Sequence, residues 1–322
     1  MWTALGFMYR IKSNNIFTVS TVDGVNKTAA IDILTSGISP GASPHIDFDN
    51  SDTVMLIGTN PLVSHGHIAG LSAPLKKIRD LQKRGGKLIV IDPQKNRLTG
   101  ISDLHIAPKP GTDFAILGFL LKDLFESNSG YIDHSYLSEH SKGIKEVLRI
   151  ANNFDIDSVA EITNISKLEL KKLSKLIALS KKFSAQTGTG ISFADTGIIS
   201  EWLLWVILCA KGSLDKPGGV WFNPGVNSFI TNSYKKKIFE DNWSSDLFYP
   251  TSKARKDLHR RKNEGAVSAI SDEILSGNLK ILIVVGGNPL TAFPNAKKAK
   301  EALKNLDALI VLDTHKTELV SL

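Results

Sequence analysis

Residues 52–64 read DTVMLIGTNPLVS and residues 85–96 read GGKLIVIDPQKN. Val54–Ile57, and Ile281–Val285 far along the chain, are short apolar runs containing β-branched residues, the composition of central strands buried on both faces of a parallel sheet, and Leu88–Ile91 returns as the next strand. Between the first strand and the returning one, Leu71, Leu75, Ile78 and Leu81 fall on one helical stripe, and Gly85–Gly86 can end that helix. Strand, glycine loop, helix, strand and Asp in that order make a βαβ unit, whose crossover is right-handed.

The same order returns near the end of the chain. Residues 279–291 read LKILIVVGGNPLT, and residues 306–317 read LDALIVLDTHKT. Ala299, Ala302, Leu303 and Leu306 make the helical stripe of this copy, with Pro294 near its first turn. The fold class is therefore α/β. Two Rossmann-like units, each βαβ with a parallel sheet, are related by an internal repeat, and the second is incomplete. Residues 1–223 read as the first unit and 266–322 as the partial second. Residues 224–265 read as a long polar connection, lysine-rich and poorly periodic. Helical patterns fill the interval after the first copy, at Phe114–Phe125, Lys167–Ser180 and Glu201–Lys211, and Phe183–Gly190 gives a third apolar-to-glycine transition.

In an open α/β sheet, ligands lie beyond the carboxyl ends of the strands, where both G-x-N-P loops fall. Gly58 and Gly286 let backbone approach a ligand, Asn60 and Asn288 offer amide hydrogen bonds, and nearby main-chain N–H groups can hold phosphate. Asp92 and Asp313 close the returning strands, where a carboxylate can accept from a ribose hydroxyl or a guanine edge. Two such units imply two nucleotide-like moieties, or one ligand with two nucleotide arms. The loops lack G-x-G-x-x-G, which argues against an ordinary NAD site.

Composition narrows the rest. Of 322 residues, 42% are hydrophobic and 22% charged, with a net charge of +7, ordinary for a globular chain. The single cysteine, Cys209, excludes an internal disulfide or a four-cysteine cluster within this chain, and it sits in the apolar run Trp202–Ala210. That run is the longest, well short of the ~20 residues that span a bilayer. The N-terminus lacks the features of a signal peptide, so the expectation is a soluble, cytoplasmic chain without a membrane segment. The basic clusters Lys235–Lys237 and Arg260–Lys262 are short and lack interleaved aromatics, which argues against nucleic acid. His65 and His67 form a loop pair without a carboxylate or thiol to complete a metal site, and Glu201 stands at the start of an apolar helix as a candidate cleft acid.

The ordered motifs GTNP (58–61), VIDP (90–93), PGTD (110–113), TGTG (187–190), GSLDKPGG (212–219), GGNP (286–289) and LDT (312–314) resemble the molybdopterin oxidoreductase family, which includes formate dehydrogenases, periplasmic nitrate reductases and dimethyl sulfoxide reductase. The resemblance covers nearly the whole chain. It implies two molybdopterin guanine dinucleotides (bis-MGD) holding molybdenum or tungsten for two-electron chemistry on a small-molecule substrate. By motif, Gly58, Thr59, Asn60, Pro61, Ser64, Asp92, Gly111, Thr112 and Asp113 would serve one dinucleotide. Gly286, Gly287, Asn288, Pro289, Asp313 and Thr314 would serve the other, with Gly188 and Gly190 lining the cleft. The family's 4Fe–4S cysteines and its cap domain have no counterpart here, so the chain is expected to be a fragment, inactive alone, that works with the remaining domains or an electron-transfer subunit. In the family a Cys, selenocysteine, Ser or Asp before the first repeat ligates the metal. The matching segment 17–24 places Ser20 there, with Thr21 and Asp23 as alternatives, and members without a protein ligand also exist. Two other readings remain: a catalytically inert scaffold or electron-transfer subunit of this fold without the metal, and a nucleotide-sugar or phosphoester enzyme of the same architecture.

Overall fold

The computed structural model describes residues 2–13, 15–34, 43–65, 71–127, 129–223, 248–250, 253–261 and 265–322. Contacts divide the chain into two units: residues 24–239, and residues 1–23 together with 240–322. The first 23 residues thus group with the C-terminal repeat, a long-range association that local sequence pattern does not carry. His67, Lys235–Lys237 and most of the polar connection lie outside the described residues.

The larger unit is built on four strands: β2 (Thr53–Ile57), β3 (Lys87–Ile91), β4 (Leu104–Ile106) and β5 (Phe183–Thr187); β1 (Ser43–Ile46) pairs antiparallel with β6 (Val220–Asn223) beside them. The four run parallel in the order β4–β3–β2–β5. Successive side chains of a strand point to opposite faces, and the two faces of β2 and β3 feed separate cores. Val54, Leu56, Leu88 and Val90 pack with Ile78 and Leu81 of the helix Pro74–Lys83. Met55, Ile57, Ile89 and Ile91 join Ile116, Leu117 and Leu120 of the helix Asp113–Glu126 and Leu203, Leu204 and Ile207 of the helix Gly197–Ala210. All five residues of β2 are buried, as expected for a strand sandwiched between helical layers. Leu71 precedes the helix of the first crossover, which Pro74 opens. Ser166 caps the helix Lys167–Leu179, accepting from Glu169 N while Glu169 reaches back to Ser166 N.

The smaller unit contains the second βαβ copy. Strands β9 (Ile281–Val285) and β10 (Ala308–Leu312) pair in parallel register; β7 (Phe248–Pro250) and β8 (His259–Arg261) make a separate antiparallel pair. Leu282, Val284, Leu309 and Val311 pack against Ala302 and Leu303 of the helix Ala296–Lys304. Among the described residues the other face is open. Ile281, Ile283, Val285, Ile310 and Leu312 are between 37% and 59% exposed. The expectation that β9 is buried on both faces is thus corrected, for a simple reason: one crossover helix covers one face, and no layer matching the helices Asp113–Glu126 and Gly197–Ala210 stands among the described residues of this unit. The N-terminal segment joins this unit through Gly265 N to Ile16 O (2.7 Å) and Val267 N to Thr21 Oγ1 (3.0 Å). Among the described residues, no helix is long and apolar enough to cross a membrane.

The open face makes a prediction. The double substitution Ile283→Thr/Ile310→Thr should cut binding of a hydrophobic dye and self-association in sedimentation velocity, while leaving the thermal midpoint nearly unchanged. Leu120→Ala, at the same face of the larger unit's sheet, should cost about 2–5 kcal/mol in urea unfolding. Equal costs at the two places would show that the β9–β10 face is covered.

Candidate functional site

The two G-x-N-P loops share one backbone geometry. Gly58 has φ 57° and Gly286 φ 60°. Asn60 (φ −126°, ψ 92°) caps the short helix Pro61–Ser64, its side-chain oxygen accepting from Leu62 N at 3.1 Å; Asn288 (φ −123°, ψ 95°) does the same for Pro289–Ala292 through Leu290 N, also at 3.1 Å. Gly58 N donates to Ile91 O and Gly286 N to Leu312 O, both at 2.9 Å. Asp92 accepts from Gln94 N at 2.8 Å and Asp313 from His315 N at 3.1 Å. The repeat is therefore a repeat of turns. Asn must cap the helix that Pro opens, and the Asp that ends the returning strand folds its own turn.

The surroundings of the two glycines differ. In the larger unit the turn after β5 lies on Gly58: Gly188 N donates to Ile57 O (2.9 Å) and Gly190 N to Gly58 O (3.0 Å). A Cβ at Gly58 would stand 3.0 Å from Ile191 N and 3.1 Å from Gly190 Cα; one at Gly190 would stand 2.9 Å from Gly58 Cα. A Cβ at Gly188 would overlap Thr59. The space these glycines open is taken up by each other's backbone. A Cβ at Gly286 would meet no described atom within 4 Å, so glycine answers there to conformation alone.

The PGTD segment completes the rim. Gly111 has φ 83° and its carbonyl accepts from Thr196 Oγ1 at 3.0 Å. Buried Thr112 donates its hydroxyl to Lys109 O at 2.6 Å, and Asp113 is the first residue of its helix. Burial pushes the Asp113 carboxyl up to about 6, a rise that its own backbone N–H opposes and the Asp92 charge adds to. The second Asp92 oxygen accepts from Asn96 Nδ2 at 3.1 Å, and its carbonyl meets His105 Nε2 at 2.8 Å.

The remaining candidates sort by their partners. Ser20 lies in the short helix Ser20–Asp23 of the smaller unit, exposed, with its hydroxyl 2.5 Å from that of Thr18. Thr21 Oγ1 donates to Thr18 O (2.9 Å) and accepts from Val267 N. Asp23 keeps a buried Oδ1 with no hydrogen-bond partner, which distinguishes it among the three alternatives. Ser64 is exposed and donates to Asn60 O (3.2 Å), and exposed His65 ends the same short helix at φ 56°. Pro289 is buried, Gly287 exposed, and exposed Thr314 pairs with His315 Nδ1 at 2.8 Å. Glu201 is corrected. It is an interior residue of the helix Gly197–Ala210, 2% exposed, accepting from Thr187 Oγ1 and from Trp205 Nε1 (2.9 Å), a tied core carboxylate and not a cleft acid. Cys209 is half-buried beside Leu124 and Ala210, and burial pushes its thiol up. The described residues contain no cluster of three or more His, Cys, Asp or Glu side chains able to hold a metal ion. Sequence reasoning missed Asn26 and Lys27, which bond carbonyls on either side of the Gly188–Ile191 turn; an isolated lysine in a helix gives no signal of burial.

A cavity of about 500 Å³ lies elsewhere in this unit, lined by His45, Asp47, Asn50, Lys77, Asp215 and Trp221 among others. It borders residues that precede β2, and Asp47 N donates to Ser184 Oγ near the start of β5 (3.3 Å), so it flanks the amino ends of the strands.

The family model described as Molybdopterin oxidoreductase matches residues 3–321. The F420-dependent formate dehydrogenase subunit alpha of Methanocaldococcus jannaschii is 25% identical over 97% of this chain and 46% of its own length. Formate dehydrogenase H of Escherichia coli is 23% identical over 85% of this chain and 38% of its own. The chain thus spans less than half the length of these curated relatives. The solved acetylene hydratase of Pelobacter acetylenicus superposes with a TM-score of 0.72 at 16% identity, covering 98% of this chain and 45% of that one, a likeness of fold.

The glycine contrast is testable by urea unfolding. Gly286→Ala should cost about 1–2 kcal/mol, the strain of a left-handed alanine. Gly58→Ala should cost about 1–3 kcal/mol more, from overpacking against Gly190 and Ile191. Equal costs would mean the two loops do not interlock in solution.

Proposed function

This chain belongs to the molybdopterin oxidoreductase family, and on that premise we propose that it is part of the catalytic subunit of such an oxidoreductase and binds molybdopterin guanine dinucleotide. The bound group supplies two-electron redox chemistry at molybdenum or tungsten. In the larger unit the rim formed by Gly58, Thr59, Asn60, Pro61, Ser64, Asp92, Gly111, Thr112 and Asp113, with Gly188 and Gly190 behind it, takes one dinucleotide. In the smaller unit Gly286, Gly287, Asn288, Pro289, Asp313 and Thr314 take the other.

The observation that supports this most is the Asp113 carboxyl at the start of the helix that follows Gly111 and Thr112, which burial holds well above the usual carboxylate range. A guanine edge carries adjacent N1–H and N2–H donors, and a carboxylate answers both with its two oxygens. A desolvated carboxylate calls for donors, and a guanine edge provides them. This acceptor suits the nucleotide end of the group. For the metal end, Ser20 is the ligand suggested by family position. Asp23, with its orphaned buried oxygen, is the stronger donor of the same segment. The relatives' names describe alpha subunits, in keeping with a partner subunit that carries electrons to or from this one, and the substrate is a small molecule.

A second reading has an observation of its own. Residues 17–24 contain no cysteine, and the Ser20 hydroxyl already meets Thr18, which suits a scaffold that has lost the metal. Expression in a host that makes the cofactor decides. Pterin, guanine nucleotide and molybdenum or tungsten recovered together support the first reading, and an Asp23→Ala variant should then lose metal while keeping pterin. Pterin and nucleotide without metal support the scaffold. Neither pterin nor nucleotide overturns both.

The acid–base sign follows from Asp113, whose carboxyl is raised to about 6. Its ionised form accepts from guanine, so GDP affinity, measured by calorimetry, should rise from pH 5 to pH 7, by up to roughly tenfold per unit below the midpoint. Asp113→Asn should flatten that rise. In the absence of ligand the sign is opposite. The folded chain holds a proton on Asp113 that the unfolded chain has released, so its contribution to stability is present at low pH and is lost as pH rises through about 6.

A further inference from the structure

Asn26 and Lys27 stand in the first turn of the helix Val25–Leu34 and reach far along the chain. Asn26 Nδ2 donates to Ser192 O at 2.9 Å, and Lys27 Nζ donates to Thr187 O at 2.8 Å. These carbonyls bracket the turn Gly188–Ile191, the turn that lies on Gly58. Lys27 is 3% exposed, and its charge is opposed within the core by Glu201, itself tied to Thr187 Oγ1 and to Trp205 Nε1. Burying an ammonium group and a carboxylate carries a heavy desolvation cost before they attract one another, and an apolar pair of similar volume would commonly serve stability as well. What an apolar pair cannot do is hold the Thr187 carbonyl.

We propose that Lys27, assisted by Asn26, is a positioning residue that clamps the Gly188–Ile191 turn onto Gly58 and Thr59, and so sets the rim at which a nucleotide binds. Glu201 keeps the clamp charge-balanced and holds the Thr187 side chain while Lys27 holds its carbonyl. The clamp itself stands on these bonds; its consequence for a ligand rests on the nucleotide reading given above.

Amide hydrogen exchange on the full chain tests the clamp directly, because Gly188 N and Gly190 N are bonded to Ile57 O and Gly58 O. Lys27→Met should speed exchange at Gly188 and Gly190 by roughly tenfold or more, with the β2 and β3 amides of Met55 and Ile89 unchanged. The double variant Lys27→Met/Glu201→Gln removes the unpaired buried charge. It should recover the thermal midpoint lost by Lys27→Met and still leave the turn unprotected, whereas Lys27→Arg should restore much of the protection. If the double variant protects Gly188 and Gly190 as the parent does, the pair is a matter of charge balance alone and the clamp is overturned. GDP titration gives the second arm: the double variant should bind roughly tenfold more weakly than the parent. Unchanged affinity with a loosened turn would refute the link to the ligand, and a parent chain that binds no GDP would refute the nucleotide reading while the exchange result still decides the clamp.

Discussion

The crossing of two backbones at Gly58 is the constraint on which the larger unit's rim, the proposed nucleotide site, depends. A strand ending at Ile57 must turn at once to start the helix that Asn60 caps, and that turn takes a left-handed residue at Gly58. The neighbouring strand β5 must turn in the same place, so Gly188 and Gly190 give up their side chains to let its backbone pass. Neither turn has room for a Cβ. The rim is shaped by main chain held against main chain, so its geometry depends little on side-chain rotamers. The smaller unit repeats the first turn, and among the described residues nothing comes within 4 Å of a Cβ at its Gly286. One cradle is interlocked and the other is a single loop.

Much of this was legible in the sequence. The repeat was, because buried parallel strands and the Gly-x-Asn-Pro turn each impose residue types that survive at fixed spacing. The parallel pairs β2–β3 and β9–β10 follow from it. The number of layers on β9 was not legible: Ile281, Ile283 and Val285 have the composition of a doubly covered strand, and what covers a face is decided by chain far away in sequence. The same limit applies to the first 23 residues, whose partners lie near Gly265 and Val267. Glu201 misled for a related reason. A carboxylate in an apolar helix reads as exposed or catalytic until its partners Thr187 and Trp205, and the lysine that faces it, are known.

At the site, the sequence order located the loops, and the structure changed what some of their residues do. Asn60, Asn288, Asp92 and Asp313 have structural work in their own turns, so their presence would be required with or without a ligand. Asp113 is different. Burial pushes its carboxyl up to about 6, which is what singles it out among the candidates. Proteins of this fold carry names as unlike as formate dehydrogenase, nitrate reductase and acetylene hydratase. The acetylene hydratase shares its fold with this chain, and a shared fold does not fix the substrate.

The most direct test is a crystal structure of the chain with GDP. The account predicts the nucleotide at the carboxyl ends of β2 and β3, its guanine edge against Asp113 and the Gly58–Gly190 crossing unmoved beneath it. GDP in the cavity lined by His45, Asp47 and Trp221, at the amino ends of the strands, would contradict it.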